Sequence, residues 1–478
     1  MRRAPFLLLI LACAAAGAQP EAGSQADTLA ADRPRTTVAD ALREPLAEAP
    51  PAVQTLYDGA LLWDDLDRLA RLAAADGIAL ALPRDDGSPA RRAARDVAAT
   101  SAMLALADKL SGTRVDPAEL YPGRWFAPRQ GPSGPAILRR ALATDAPAEA
   151  LEAALGALHP PHDGYRRLRR RAQAIRAALA ATAAQPLPAA GPAGPANAGI
   201  PALEVPERVR EAAHLDRIEL NLERWRWLPR ELGAQHILVN VPAFELAVRE
   251  GAAGSYRDRL RMPATVGQTD EHWQTPVLSD RITSVQFFPT WTPTLTIQRE
   301  EIIPQARADG GARLDSLGFY VERRGRRLSP RAIDWDRARA GKYRIVQRGG
   351  PLGRLGRVKF VMPNRHFILI HDTTTPDEFD ADVRAFSHGC VRAADVEALA
   401  DEVLGLANGW APGRASGLLR GAPRARGVRL RQRLPVHIVY LTAEVGADGE
   451  LAVYDDLYGF DAPLSDALGR QASASARP

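Results

Sequence analysis

The chain changes its hydrophobic rhythm once, near its middle. From about residue 51, apolar side chains recur at helical spacing. "LWDDLDRLARLAA" sets Leu62, Leu66, Leu69 and Leu72 on one stripe, and "ARDVAATSAMLALADKL" continues with Val97, Met103, Leu104 and Leu110. "PAILRRAL" and "AEALEAALGAL" add two short helices. In "DGYRRLRRRAQAIRAALAA", Tyr165, Leu168, Ala172, Ile175 and Leu179 share a face while the arginines take the other, as on a surface helix. The pattern predicts a helical scaffold domain over 51–184. A Pro/Gly/Ala linker follows over 185–204, beginning "QPLPAAGPAGPANAGIP", with no side chains able to build a core. Beyond it the period becomes alternating. "HILVNV", "FELAVRE", "SVQFF", "RVKFVM", "HFILIHD", "VHIVYLTAEV" and "LAVYDD" predict strands bounded by Gly, Pro or Asp turns, with "GADG" at 446–449 as a hairpin. A helix is predicted over 393–404, stopped by Gly405. The expected fold class is α+β: a helical domain, then a β-rich domain over 205–470. A frayed tail is expected over 471–478.

Composition narrows the class. Of 478 residues 46% are apolar, enough to bury a large core. The net charge is +5, carried almost wholly by arginine and spread along the chain, with no dense basic block of the nucleic-acid-binding kind. The strongest short run, "RRLRRRAQAIR", is expected to be a solvated helix face. The N-terminus has Arg2 and Arg3, then an apolar run from Phe6 to Ala16 too short to span a bilayer, then Ala16-Gly17-Ala18. This is the pattern of an export signal over 1–18, with a flexible tail over 19–50; lipid attachment at Cys13 is the alternative. No other run approaches the ~20 apolar residues of a membrane helix, so an integral membrane protein is not expected.

Cleavage after Ala18 leaves one cysteine, Cys390, in "RAFSHGCVRAADV". Exported proteins oxidise paired thiols, and this one has no partner within the chain. Three readings remain: an inert buried thiol, a zinc ligand with His371, His388 and Asp372, or a nucleophile. The helix just downstream and the nearby histidines favour ionisation of the thiol. Either His388, two residues away, or His371, at the end of the apolar run "FILI", is placed to act as its base. Arg392 suits a substrate carboxylate or a surface position.

"HDTTTPDEFDADVRAFSHGCVR" resembles the signature of L,D-transpeptidases of the YkuD type: a histidine, fifteen residues, then Ser-His-Gly-Cys and an arginine. "NLERWRWLP", "HILVNVPAFEL", "VGQTDEHWQTPVLSDRI", "FFPTWTPTLTI", "LGRVKFVMPN" and "VHIVYLTAEVGADGELAVYDDLYG" resemble the large YcbB-like subgroup. "RVDPAELYPGRW" and "PPHDGYRRLRRR" extend the likeness loosely into the helical part. The resemblance implies Cys390 as nucleophile, His371 as its imidazole, the Asp372 carbonyl orienting that ring, and amides around Gly389 binding the oxyanion. It implies Arg392, Ser387, His388 and Trp291 as substrate-binding residues, and no cofactor or metal. The implied reaction joins peptidoglycan stem peptides by 3→3 cross-links through a Cys390 thioester, with loss of D-Ala, in the periplasm. Implied partners are the tetrapeptide donor, a diaminopimelate acceptor and envelope proteins. The alternatives are an L,D-carboxypeptidase or hydrolase using the same acyl-enzyme, and a non-enzymatic wall-binding scaffold. Three departures stand out. The linker replaces the peptidoglycan-binding module of many subgroup members, Arg354 stands where they tend to have Asn, and Leu369 stands where an aromatic is common. The stretch 299–342 resembles a capping subdomain.

Overall fold

Alternating apolar residues build the strands that dominate the second half of the chain. The computed structural model describes residues 71, 73–77, 106, 107, 109, 110, 115–125, 147–182, 207–252, 255–420 and 422–469. The export signal, the tail over 19–50, the linker, the final residues, the stripe over 62–72 and the helix predicted at "PAILRRAL" lie outside them. The chain divides into two compact units. The first takes Met1–Arg114, Gly131–Pro160 and Gln173–Ala193, and the second takes Val115–Gln130, Pro161–Ala172 and Gly194–Pro478. In the first, helix α1 (Pro147–Leu158) buries Leu155 and Leu158, while Ala73, Leu106, Ala107 and Leu110 are buried too. Helix α2 (Asp163–Thr182), divided between the units at Ala172, carries the predicted stripe: Tyr165, Leu168, Ala172 and Ile175 are buried.

The long C-terminal part of the second unit carries helix α3 (Glu207–Arg226), which the alternation pattern did not foretell. Its last two turns bury charged residues as well as apolar ones: Glu223, Arg224 and Arg226 lie inside, so no simple polar face marks it. Those charges are matched. Arg226 pairs with Glu223 at 2.9 Å and Arg224 with Asp461 at 2.6 Å, as burial of an ion requires.

The strands are β1 (Gln235–Asn240), β2 (Glu245–Ala252), β3 (Ser255–Gly267), β4 (Leu278–Phe287), β5 (Phe319–Arg323), β6 (Arg326–Leu328), β7 (Arg344–Gln347), β8 (Val358–Val361), β9 (Ile370–His371), β10 (Ala385–Ser387), β11 (Val391–Ala393), β12 (Arg426–Val439), β13 (Ala443–Val445) and β14 (Leu451–Val453). Nine form one sheet in the order β10-β3-β11-β9-β8-β4-β12-β1-β2. A further β2–β3 ladder joins the ends, so every strand but β10 stands in a closed ring with no free edge. Val239, Val285, Phe360, Ile370, Val391 and Ile438 belong to its core. Helix α4 (Val396–Asn408) lays Val396, Leu399, Ala400, Val403 and Leu404 into that core. It runs past Gly405 and stops at Gly409, which takes the left-handed conformation of a helix end (φ 70°). Between β4 and β8, residues Leu295–Gln347 fold around a small core of their own, with Ile302, Leu314, Phe319, Trp335 and Ile345 inside and β6-β5-β7 as its sheet.

Candidate active site

Two short parallel strands bring the sequence-predicted residues together. β9 ends at His371, and β11 begins one residue after Cys390. Their register pairs Arg392 with His371 and Val391 with Ile370. Side chains alternate along a strand, so Cys390 and Arg392 share the face on which His371 lies. On the other side of β9, Lys359 of β8 pairs with His371. The imidazole therefore stands in a cross-strand row between an ammonium and a guanidinium. That row was not visible in the sequence, because register is not written there. One signal existed: Lys359 is one of only three lysines in an arginine-rich chain.

His371 is buried, and its Nδ1 lies 2.5 Å from the carbonyl oxygen of Asp372. A carbonyl only accepts, so Nδ1 carries the proton and Nε2 keeps its lone pair. Burial pushes the imidazole down to about 3, and the Arg392 and Lys359 cations push the same way. The ring is neutral at physiological pH. The sulfur of Cys390 is half-buried, 3.7 Å from the Phe367 carbonyl. Desolvation raises the thiol above its ordinary value; a backbone hydrogen bond at Leu369, then Arg392 and Lys359, offset this in part. The sequence leads one to expect a thiolate–imidazolium pair. Burial instead favours the neutral thiol and the neutral imidazole over that pair. Helix α4 starts after β11 and its first turn is capped by Asp395, whose side chain accepts from Ala398 N at 2.9 Å.

The Asp372 side chain holds the other end of this arrangement. Its Oδ2 accepts from Arg357 N at 2.8 Å and from Arg357 Nε at 3.1 Å. Gly356, with φ 63°, permits this contact, since a Cβ there would stand 2.3 Å from the Asp372 Cβ.

The turn before the thiol is fixed from two sides. Ser387 Oγ donates to the Cys390 carbonyl at 2.5 Å and accepts from Gly389 N at 3.0 Å. Thr275 Oγ1 donates to the Gly389 carbonyl at 2.9 Å while accepting from Gly267 N at 2.8 Å. Gly389 has φ 101°, which an L side chain rarely adopts. Its N–H is taken by Ser387, while the His388 and Cys390 N–H groups of the same turn have no partner among the described residues. Thr275 was missed by sequence reasoning; a threonine in a loop carries no local signal.

The remaining predicted residues separate. His388 turns away from β9: its Nε2 lies 2.5 Å from Glu301 Oε1, and its ring sits edge-on to Trp273 at 4.4 Å. Arg392 is ion-paired with Glu378. Trp291 exchanges backbone hydrogen bonds with Gln347 at 2.8 and 3.0 Å, packs edge-on to Phe319 and lies under the Arg354 guanidinium. Among the described residues no three His, Cys, Asp or Glu side chains converge as metal ligands. None of the helices described is long and apolar enough to cross a membrane.

Fold and site together define a mixed, closed β-barrel with a cysteine–histidine pair at the ends of adjacent parallel strands. Residues 234–438 match the family model of the L,D-transpeptidase catalytic domain, YkuD, and residues 21–171 match that of the Scaffold domain. A protein from Haemophilus influenzae named "Putative L,D-transpeptidase" is 28% identical over 260 residues, covering 54% of this chain and 50% of the relative. The match thus spans about half the length of each. Residues 234–438 thus form a YkuD-type L,D-transpeptidase catalytic domain, with a Scaffold domain before it in the sequence.

Proposed function

We propose that the protein cross-links peptidoglycan in the periplasm, joining the third residues of two stem peptides through a thioester on Cys390. The observation that carries this reading is the His371 ring, held through Nδ1 by the Asp372 carbonyl on the strand that pairs with the one following the half-buried Cys390. A neutral base and a thiol need no resting charge separation. As sulfur attacks the carbonyl of the donor's third residue, the thiol proton passes to His371 Nε2. The Cys390 amide faces the developing oxyanion, and Lys359 and Arg392 steady the negative charge that forms on sulfur. Collapse of the tetrahedral intermediate expels D-Ala, whose amine takes the proton from His371. A second stem's side-chain amine then attacks the thioester, gives its proton to His371 and releases Cys390, which recovers that proton. Each cycle breaks one peptide bond and forms one, so no ATP is consumed.

In this scheme Ser387 and Gly389 shape the turn, and Arg392 orders the loop carrying Glu378 as well as facing the substrate. The test is incubation with purified disaccharide-tetrapeptide. Release of D-Ala together with a dimer linked through two diaminopimelates is expected. Tripeptide as the sole product would make water the acceptor and the enzyme a carboxypeptidase. Absence of any turnover would contradict both.

A further inference from the structure

The arginines of this chain are not electrostatically alike. On the β2–β3 hairpin, Arg249, Arg257, Arg259 and Arg261 each pair with Asp258, Glu250, Glu402 or Glu245. A different arginine-rich segment runs into β12, where Arg420, Arg424, Arg426, Arg429, Arg431 and Arg433 follow one another with no Asp or Glu between 413 and 439. All six are exposed. None forms an ion pair or a side-chain hydrogen bond among the described residues. Evenly spread charge, the impression left by the sequence, gives way to one unneutralised strip.

The strip is tied to the catalytic face by register. Gly427 pairs with Gln286, Gln286 with Lys359, and Lys359 with His371. Directly paired residues point to the same face, and Arg429, two residues beyond Gly427, points with them. Three strand spacings separate β12 from β9, a distance of about 15 Å at ~4.8 Å each. A register shift between Arg429 and Leu434 then splays the strand, and Thr283, Arg429, Leu430, Arg431 and Arg433 line an open groove of about 530 Å³. Successive arginines at every second residue stand ~6.7 Å apart, a spacing suited to repeated single anions. The large exposed apolar residues, Phe367 and Leu352 among them, all lie outside 413–439, so nothing in the strip would anchor it in a bilayer.

We infer that the Arg420–Arg433 strip docks a polymer bearing repeated carboxylates, holding neighbouring stems of the polymeric substrate while one stem occupies Cys390. This rests on the transpeptidase reading and adds a second, non-catalytic contact to it. The experiment uses the full chain and the triple variant Arg429→Gln/Arg431→Gln/Arg433→Gln, with insoluble peptidoglycan sacculi and soluble disaccharide-tetrapeptide as separate probes. As a charge-matched control, Arg257→Gln/Arg259→Gln/Arg261→Gln removes the same charge from the paired hairpin. The β12 variant should keep wild-type kcat/KM on the soluble substrate, while its pelleting with sacculi at low salt falls about tenfold or more. The control should pellet like wild type, and wild-type pelleting should weaken as salt rises. Unchanged pelleting of the β12 variant, an equal loss in the control, or stronger capture of wild type by phosphatidylglycerol vesicles than by sacculi would overturn the inference. Loss of wild-type turnover on the soluble probe would instead strike the transpeptidase reading and leave the docking result standing.

Discussion

Two histidines share the sequence motif of Cys390, and the fold treats them in opposite ways. His371 is delivered by a strand, buried, locked by the Asp372 carbonyl and kept neutral between Arg392 and Lys359. His388 shares the thiol's own loop, stays partly exposed and is tied to Glu301 and Trp273. Sequence proximity favours His388, yet the turn that brings it near also aims it outward. A base is better fixed by a neighbouring strand than by the nucleophile's loop, because strand register sets both its position and its protonation. Glu301 belongs to the helical turn Gln298–Ile302 of the inserted subdomain, so the His388 side of the site is where that subdomain touches the catalytic loop.

The comparison breaks most severely at the thiol. Cys390→Ala removes the proposed nucleophile, and turnover should fall by at least ~10³-fold in a D-Ala release assay. His371→Gln should follow, with kcat down ~10²–10⁴-fold. A comparable loss in His388→Gln would reverse the two roles.

Lys359→Met probes the row itself. The cation lowers both the imidazole and the thiol, so its removal should raise both. A fall of about tenfold in kcat is expected, with alkylation of Cys390 by iodoacetamide displaced to higher pH. In the unaltered protein, that alkylation should climb past pH 9 with no reactive plateau at acidic pH, since burial raises the thiol above its ordinary 9.0. A plateau near pH 5 would restore the ion pair that sequence alone suggests. Stability gives the sign for the imidazole. His371 titrates at about 3 folded against an ordinary 6.5, so the unfolded chain binds more protons between those values. The stability it contributes is complete above pH 6.5 and is lost as pH falls toward 3, which His371→Gln should flatten in a melting-temperature series.

The smallest effect is expected from Glu301→Gln. The His388 contact holds the Glu301 carboxyl below its usual range, but both groups are partly exposed, so the pair is worth ~1 kcal/mol or less. A change within about fivefold in kcat/KM is expected, with the Cys390 alkylation profile unmoved. A shift of that profile would couple His388 to the thiol.

Much of the barrel was legible because its strands alternate apolar and polar residues: "HILVNV", "FELAVRE" and "RVKFVM" each overlap a strand. Others were hidden by charge. β3 reads "SYRDRLRMPATVG", and its outward arginines look like a loop until Glu245 and Glu250 of β2 and Glu402 of helix α4 meet them. The apolar run "HFILIHD" suggests seven strand residues, but only Ile370–His371 form one. Asn364 explains the rest. Its Oδ1 accepts from His366 N and Ile368 N at 3.0 Å each, and its Nδ2 donates to the Met362 and Ile368 carbonyls. That clamp curls the chain and puts Phe367 in the left-handed region, φ 60°, with its carbonyl toward the Cys390 sulfur. Of the site, Cys390 and His371 were nameable from their motif. Lys359, Thr275 and Glu301 were not, since each acts through a contact made only by folding.

The most direct test is intact-protein mass spectrometry after rapid acid quench of the enzyme with donor tetrapeptide, followed by digestion to locate the adduct. The account predicts a mass gain equal to the donor less one D-Ala, on the peptide holding Cys390, absent from Cys390→Ala. D-Ala release at an undiminished rate with residue 390 unmodified at every time point would contradict it.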